Sequence, residues 1–216
     1  MRSKSELIVL EHTKFGENSI ILHTLSSEYG RRGFLVRAAR GAGMALFLPL
    51  NILEAEVASN PKSDLWHAKN FSCVSPLEGI RSDMRKNTMT LFMSEVLYRI
   101  VRDRTGEDGL YEWLKGEILT LDALKSDFLN FHLLFLLNLC AALGFAPQTG
   151  LIAPFVGDHL QQVSSLLTLP YEEALLLPMS GSDRNEIAGS ILRYIEHHTE
   201  SAVNVRSLAV LREIYA

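Results

Sequence analysis

At Ser75-Pro76 the hydrophobic rhythm of this 216-residue chain changes. Before it, short β-branched runs alternate with turn-forming residues. After it, apolar residues recur at three- and four-residue steps. A strand repeats a face every two residues and a helix about every 3.6. The chain is therefore expected to be α+β, with strands confined to its first third.

Five strands are expected in the first part: Ser5–Thr13, Asn18–Ser27, Arg31–Ala39, Leu46–Val57 and Leu65–Val74. Phe15-Gly16-Glu17-Asn18, Glu28-Tyr29-Gly30, a flexible Arg40-Gly41-Ala42-Gly43 loop and Asn60-Pro61-Lys62-Ser63 separate them. Five closely spaced strands in about 75 residues is the size of an OB-fold barrel. The expected domains are residues 1–80, a barrel, and 81–216, all-helical.

In the second part Met89, Phe92, Met93, Val96, Leu97, Ile100 and Val101 trace one face of a helix. Leu110–Leu121 is a second helix, and Ser126–Leu143, apolar nearly all round, is the central buried one. Gly144 suits its end, with Pro147 just beyond. Residues 148–181 are less regular, with Pro154, Pro170 and Pro178 limiting helix length. Ser182 or Asp183 is expected to cap a helix carrying Ile187, Ile191 and Ile195, and Val205–Tyr215 forms the last. The most apolar run, Phe131–Leu143, is shorter than the roughly 20 residues of a membrane span. Only four apolar residues follow Glu6, too few for a secretory signal. Two distant cysteines, Cys73 and Cys140, suit a reducing, cytoplasmic setting.

Net charge is −4, so the chain as a whole does not advertise a polyanionic partner. Its distribution says more. Residues 1–50 hold seven Lys/Arg against four Asp/Glu, and residues 81–104 hold six against three. Strand three carries most of the first cluster, in Arg31-Arg32-Gly33-Phe34-Leu35-Val36-Arg37-Ala38-Ala39-Arg40. With Phe34, Val36 and Ala38 filling the barrel, Arg31, Leu35 and Arg37 point outward, while Arg32 and Arg40 reach round the strand ends. The four arginines then crowd one rim, with Lys14 in the adjoining turn. Guanidinium groups suit phosphate oxygens, so this rim is a track for a nucleic-acid backbone. The same residues also suit a solvated strand paired with Glu17 and Glu28. Phe15, Tyr29, Phe47, Trp66 and Phe71 are possible stacking platforms, with Phe47 and Phe71 better suited to the core. Arg81, Arg85, Arg99 and Arg102 fall on one side of the first long helix, either as more DNA-binding surface or as a solvated face.

No pattern for covalent chemistry emerges. Gly41-Ala42-Gly43 lacks the Gly-Lys-Ser/Thr ending of a phosphate loop, and neither Gly-x-Ser-x-Gly nor Cys-x-x-Cys occurs. His197-His198 would diverge on a helix, and His12 with His23 gives only two ligands where zinc needs more. No catalytic residue, metal or cofactor is expected.

Several segments, taken in order, resemble the RecO family of recombination mediators. Glu17-Asn18-Ser19-Ile20-Ile21-Leu22, Thr24 and Glu28-Tyr29-Gly30 look like its opening. The basic strand Arg31–Arg40 and Leu48-Pro49-Leu50 continue the likeness. Phe131-His132-Leu133-Leu134 and Leu143-Gly144-Phe145-Ala146-Pro147 are similar to its central helix and the ending of that helix. The resemblance implies an OB-fold followed by a helical domain. It also implies binding of single- and double-stranded DNA, strand annealing, and work with RecR to load RecA onto DNA coated by single-stranded-DNA-binding protein (SSB). The acidic, aromatic-ended SSB tail would dock on the helical domain, with Arg99 and Arg102 as counter-charges. The implied setting is a bacterial cytoplasm, at the nucleoid.

Two departures stand out. Many family members carry four zinc-ligand cysteines after the Gly-aromatic-x-Pro segment; Gln148–Pro154 here has none, so no zinc finger is expected. The loop Arg40–Ala45 has no lysine, which makes the basic surface lean. The alternative is a protein-interaction adaptor that touches DNA only through its partners.

Overall fold

A computed structural model describes residues 2–37, 41–61, 63–102 and 109–214. The chain forms two compact units. One comprises the described residues of Met1–Glu78 and Val101–Ile118; the other comprises Gly79–Ile100 and Leu119–Ala216.

The first unit is built on β1 (Arg2–Phe15), β2 (Ser19–Ser26), β3 (Gly30–Arg37), β4 (Ile52–Ala58) and β5 (Trp66–Cys73). They close a barrel in the order β1-β2-β3-β5-β4, antiparallel except where β3 meets β5. That five-stranded arrangement is an OB-fold. Inward residues alternate as the pleat requires, and Leu7, Val9, Leu22, Phe34, Val36 and Leu53 pack in the core. A bulge between Val9 and Glu11 shifts the β1 register. Beyond it the β1–β2 hairpin runs on, with residues 11–18 all exposed.

The expected fourth strand starts six residues late. Gly41–Phe47 is a 3-10 helix instead of a loop followed by a strand, and its Phe47 enters the barrel core. Leu50 takes a positive φ of 59°, which turns the chain. The Asn51 amide donates to the carbonyls of Ala45 and Leu46, both at 3.0 Å. Local hydrogen bonds thus claim backbone groups that a longer strand would have used.

The second unit is helical. Asp83 divides the expected first helix into α1 (Glu78–Ser82) and α2 (Met84–Ile100). Its carboxylate accepts from the Arg85 amide at 2.8 Å, as an N-cap does. After α3 (Leu110–Ala123), which bridges the two units in sequence, comes α4 (Phe131–Ala142). Residues 131–137 of α4 are all buried. The helix begins at Phe131 rather than Ser126 because Asp127 has a positive φ. Gly144 ends it at φ 87°, and Phe145 N–H donates back to the Cys140 carbonyl, a Schellman ending.

Residues 149–175 hold three short helices, α5 (Thr149–Val156), α6 (Leu160–Thr168) and α7 (Tyr171–Leu175). Asn130 donates to the carbonyls of Ala174, Leu175 and Leu177, holding the end of α7. The cap of α8 (Gly181–Thr199) is Ser180, two residues before Ser182, in a reciprocal capping box with Asp183. The last helix, α9 (Ser207–Ile214), is capped from α2: Glu95 accepts from the Ser207 amide at 2.9 Å and its hydroxyl at 2.6 Å.

Candidate nucleic-acid interface

Strand register places the arginines of β3. Directly paired residues share a face of the sheet. Phe15 pairs with Ser19 and Ser19 with Arg37, so these three form one row on the outer face. Leu35 pairs with Ile21 on one side and His67 on the other, forming the next outward row. Lys69 follows His67 by two residues and shares its face. The outer surface of β2, β3 and β5 thus presents apolar Ile21 and Leu35, edged by Arg37, His67, Lys69 and Phe15.

The expected single rim of arginines does not form. Arg31 and Arg32 pair with Leu25 and Thr24, at the opposite end of β3 from Arg37. At about 3.3 Å per residue, Arg31 and Arg37 stand roughly 20 Å apart along the strand. The Arg31 guanidinium donates to the carbonyl of Val101. Arg32 folds back over its own turn: its Nε donates to Tyr29 O at 3.2 Å and its guanidinium lies 5.1 Å from the Trp66 ring. Arg37 is exposed and, among the described residues, makes no ion pair. Arg40 lies outside the described residues. Lys14 lies on β1, not in the turn, because β1 runs on to Phe15; it is exposed and paired in register with Ile20.

The aromatic residues sort cleanly. Phe47 is 2% exposed and meets Phe71 edge to face at 5.1 Å. Tyr29 is only half exposed; its hydroxyl hydrogen-bonds Ser3 at 2.9 Å and its ring packs 4.9 Å from Trp66. Phe15, 50% exposed near the hairpin tip, is the platform open to solvent.

Leu35 and His67 are the last paired residues of β3 and β5. Past them the strands diverge, leaving a cleft of about 350 Å³ bounded by Leu35, Arg37, Glu56, Ala58, His67 and Lys69. Glu56 is held there by Lys69 at 3.3 Å and by the Asn70 amide at 2.8 Å. His67 and Lys69 were missed from sequence because β5 lacks an arginine run. Only its parallel pairing with β3 brings these side chains beside Arg37.

The helical basic residues do not share one helix face. Arg81 belongs to α1 and donates to Asn87 at 2.8 Å. Arg85 is exposed, 3.5 Å from Asp83 and 5.1 Å from the Phe128 ring. Arg99 pairs with Glu95 at 3.2 Å. Burial draws the Glu95 carboxyl upward, but hydrogen bonds from Ser207, Arg206 and Arg99 outweigh it and hold the group below its ordinary range. Arg102 follows the end of α2 and is exposed. Among the described residues no three His, Cys, Asp or Glu side chains converge as metal ligands, and no helix is long and apolar enough to cross a membrane.

A closed five-stranded barrel with Arg37 and Lys69 on its outer face, followed in sequence by a helical unit, defines a protein of the OB-fold class. Residues 1–76 match the family described as Recombination protein O N terminal, and residues 81–149 match Recombination protein O C terminal. The chain is 30% identical to the DNA repair protein RecO of Bacteroides fragilis, with both chains covered completely. It is 32% identical to that of Flavobacterium johnsoniae, again over both full chains. To the Porphyromonas gingivalis protein it is 33% identical, over 67% of this chain and 61% of the relative. The chain belongs to the RecO family of DNA repair proteins.

Proposed function

We propose that this protein binds single- and double-stranded DNA on the outer face of its barrel, anneals complementary strands, and helps load RecA onto SSB-coated DNA together with RecR. The observation that carries the DNA contact is the exposed Arg37, standing on the same face as Lys69, His67 and Phe15. Cations there neutralise phosphates and release counterions. Screening two backbones lowers their mutual repulsion so that pairing proceeds without covalent chemistry. Backbone contacts carry little sequence information. Lys14, paired with inward-facing Ile20, stands on the other side of the hairpin from Phe15; it and Arg31, Arg32, Arg40, Arg81 and Arg85 are proposed as further phosphate contacts on longer DNA. RecR and the SSB tail are proposed from the resemblance to the family, with Arg99 and Arg102 meeting the acidic tail in a bacterial cytoplasm.

The engagement of Arg31 with Val101 and of Arg32 with Trp66 leaves fewer cations for phosphate. That favours one second reading, an adaptor that reaches DNA through partners. Fluorescence anisotropy of a labelled oligonucleotide across several salt concentrations separates the two. Direct binding predicts affinity falling with salt, by a slope of about 0.7 per single-strand phosphate neutralised. An absence of binding at low salt leaves the adaptor.

A further inference from the structure

We infer that the β1–β2 hairpin is a wedge for forked DNA, with Phe15 at its end stacking on the last base pair where a duplex parts into two strands. This rests on the DNA-binding reading above and assigns it a preferred DNA shape.

The hairpin outruns the barrel. Pairing of β1 with β4 ends at Ile8, and over residues 11–15 β1 pairs with β2 alone. Residues 11–18 are all exposed, so this part of β1 is covered on neither face. Phe15 is its one apolar residue. It stands at the last pair before the turn, opposite Ser19, and Gly16 follows it at φ 67°. The ring is 50% exposed and lies outside the barrel core. Apolar side chains presented in this way are what several DNA-bending proteins insert between base steps.

The finger carries a cation on each face. Arg37 shares the face of Phe15 through the Phe15–Ser19–Arg37 row. Lys14, paired with inward-facing Ile20, is on the opposite face. Both are exposed, and neither makes an ion pair among the described residues. One single strand needs cations on one face only. Cations on both faces, with an aromatic ring at the end, match two phosphate chains that diverge around the finger. Inside a duplex the bases are stacked and paired and closed to the ring; at a fork the last pair is open on one side. Glu17, in the turn beyond Phe15, enters the fork, where base edges rather than phosphates lie.

The test uses full-length protein and a fork with two unpaired arms and 2-aminopurine in its last base pair. At saturating protein the fluorescence should rise as that pair is unstacked, and should stay constant when the probe is moved to the duplex interior. The fork should bind on the order of tenfold tighter than the blunt duplex, the effect of one stacked base. Phe15→Ser, at a half-exposed position that spares the fold, should lose the fluorescence rise even at saturation, where weaker binding no longer matters. Lys14→Ala should lower the salt slope by about 0.7 on the fork and by less on one isolated arm. Constant junction fluorescence with the natural protein overturns the inference, as does equal affinity for fork and blunt duplex. A rise that survives Phe15→Ser, or a Lys14→Ala effect equal on fork and arm, overturns it too. Absence of binding to every DNA would overturn the DNA-binding reading itself and this inference with it.

Discussion

Lys115 of α3 donates to the carboxylate of Glu6 on β1 at 2.6 Å, across 109 positions of sequence. Tyr111, one helical turn earlier, donates to the same oxygen at 2.8 Å. These two bonds attach the first half of α3 to the barrel, so the barrel unit takes in residues beyond the first eighty. Hydrogen bonding from Lys115 is the chief reason that the Glu6 carboxyl sits below its ordinary range; partial burial opposes it and Tyr111 reinforces it.

Both side chains of this pair keep some solvent contact, 26% for Lys115 and 33% for Glu6. Lys115→Met should therefore cost only about 1 kcal/mol, measured by urea unfolding. Because the folded state depresses the Glu6 pKa, its contribution is present above the ordinary glutamate value of about 4.3 and is lost as pH falls through the lower folded value. A Glu6→Gln variant should thus differ from the natural protein at neutral pH and converge with it in acid. A constant difference down to acid pH would contradict the assignment.

His132 predicts a second, larger pH effect. It is 1% exposed in α4, with Phe92 edge-on at 6.2 Å. Burial above all, and then the charge of Arg184, push its pKa down to about 3. The unfolded chain takes up a proton near pH 6.5 and the folded chain does not. Stability from this residue is complete above about 6.5 and declines as pH falls toward 3. At pH 5 the loss should reach about 2 kcal/mol, at 1.36 kcal/mol per unit. Thermal melts of the natural protein and His132→Gln at pH 7 and pH 5 check this; the variant should show the shallower decline.

The barrel and the central helix were legible in the sequence because each follows from periodicity. Phe34 and Val36 alternate into the core as the pleat demands, and Phe131–Leu137 is apolar on every side of its turn. What escaped was whatever depends on partners distant in sequence. The arginines of β3 read as one cluster because composition counts charges without register, and register sets Arg31 and Arg37 at opposite ends of the strand. The cleft escaped for a related reason: His67 and Lys69 lie in an ordinary polar strand until β5 pairs with β3 in parallel. Asp83 escaped for a local reason: it reads as one acidic residue on a long helix until its carboxylate accepts from the Arg85 amide and caps α2.

The separation along β3 predicts that its arginines divide between affinity and stability. Arg37→Ala and Lys69→Ala should each reduce the salt slope of single-strand binding by about 0.7 and leave the melting temperature nearly unchanged. Arg31→Ala should behave oppositely, losing its bond to the Val101 carbonyl and about 1.5 kcal/mol of stability, with little change in salt slope on oligonucleotides too short to reach it. Paired calorimetry and anisotropy on the three variants read both quantities. A large loss of DNA affinity in Arg31→Ala at unchanged stability would put the phosphate contact at the other end of the strand.

Two glycines predict opposite signs for one substitution. A Cβ at Gly79 would lie 2.0 Å from the Asp122 carbonyl oxygen, a clash with backbone that no rotamer relieves. The neighbourhood is fixed from several directions: Ile80 N–H donates to the Asp122 carboxylate at 2.8 Å, and the buried Lys86 ammonium donates to the carbonyls of Asp122 and Leu124. Moving Gly79 aside would strain these bonds together, so Gly79→Ala should cost about 3 kcal/mol, the upper end of overpacking penalties. Gly116, inside α3, has nothing within 4 Å of the equivalent position and an ordinary helical backbone. There alanine removes conformational freedom from the unfolded chain and meets no obstacle, so Gly116→Ala should stabilise by about 0.5–1 kcal/mol. Chemical denaturation of both variants checks the pair; a stable Gly79→Ala protein would mean that the α1–α3 contact is looser than drawn.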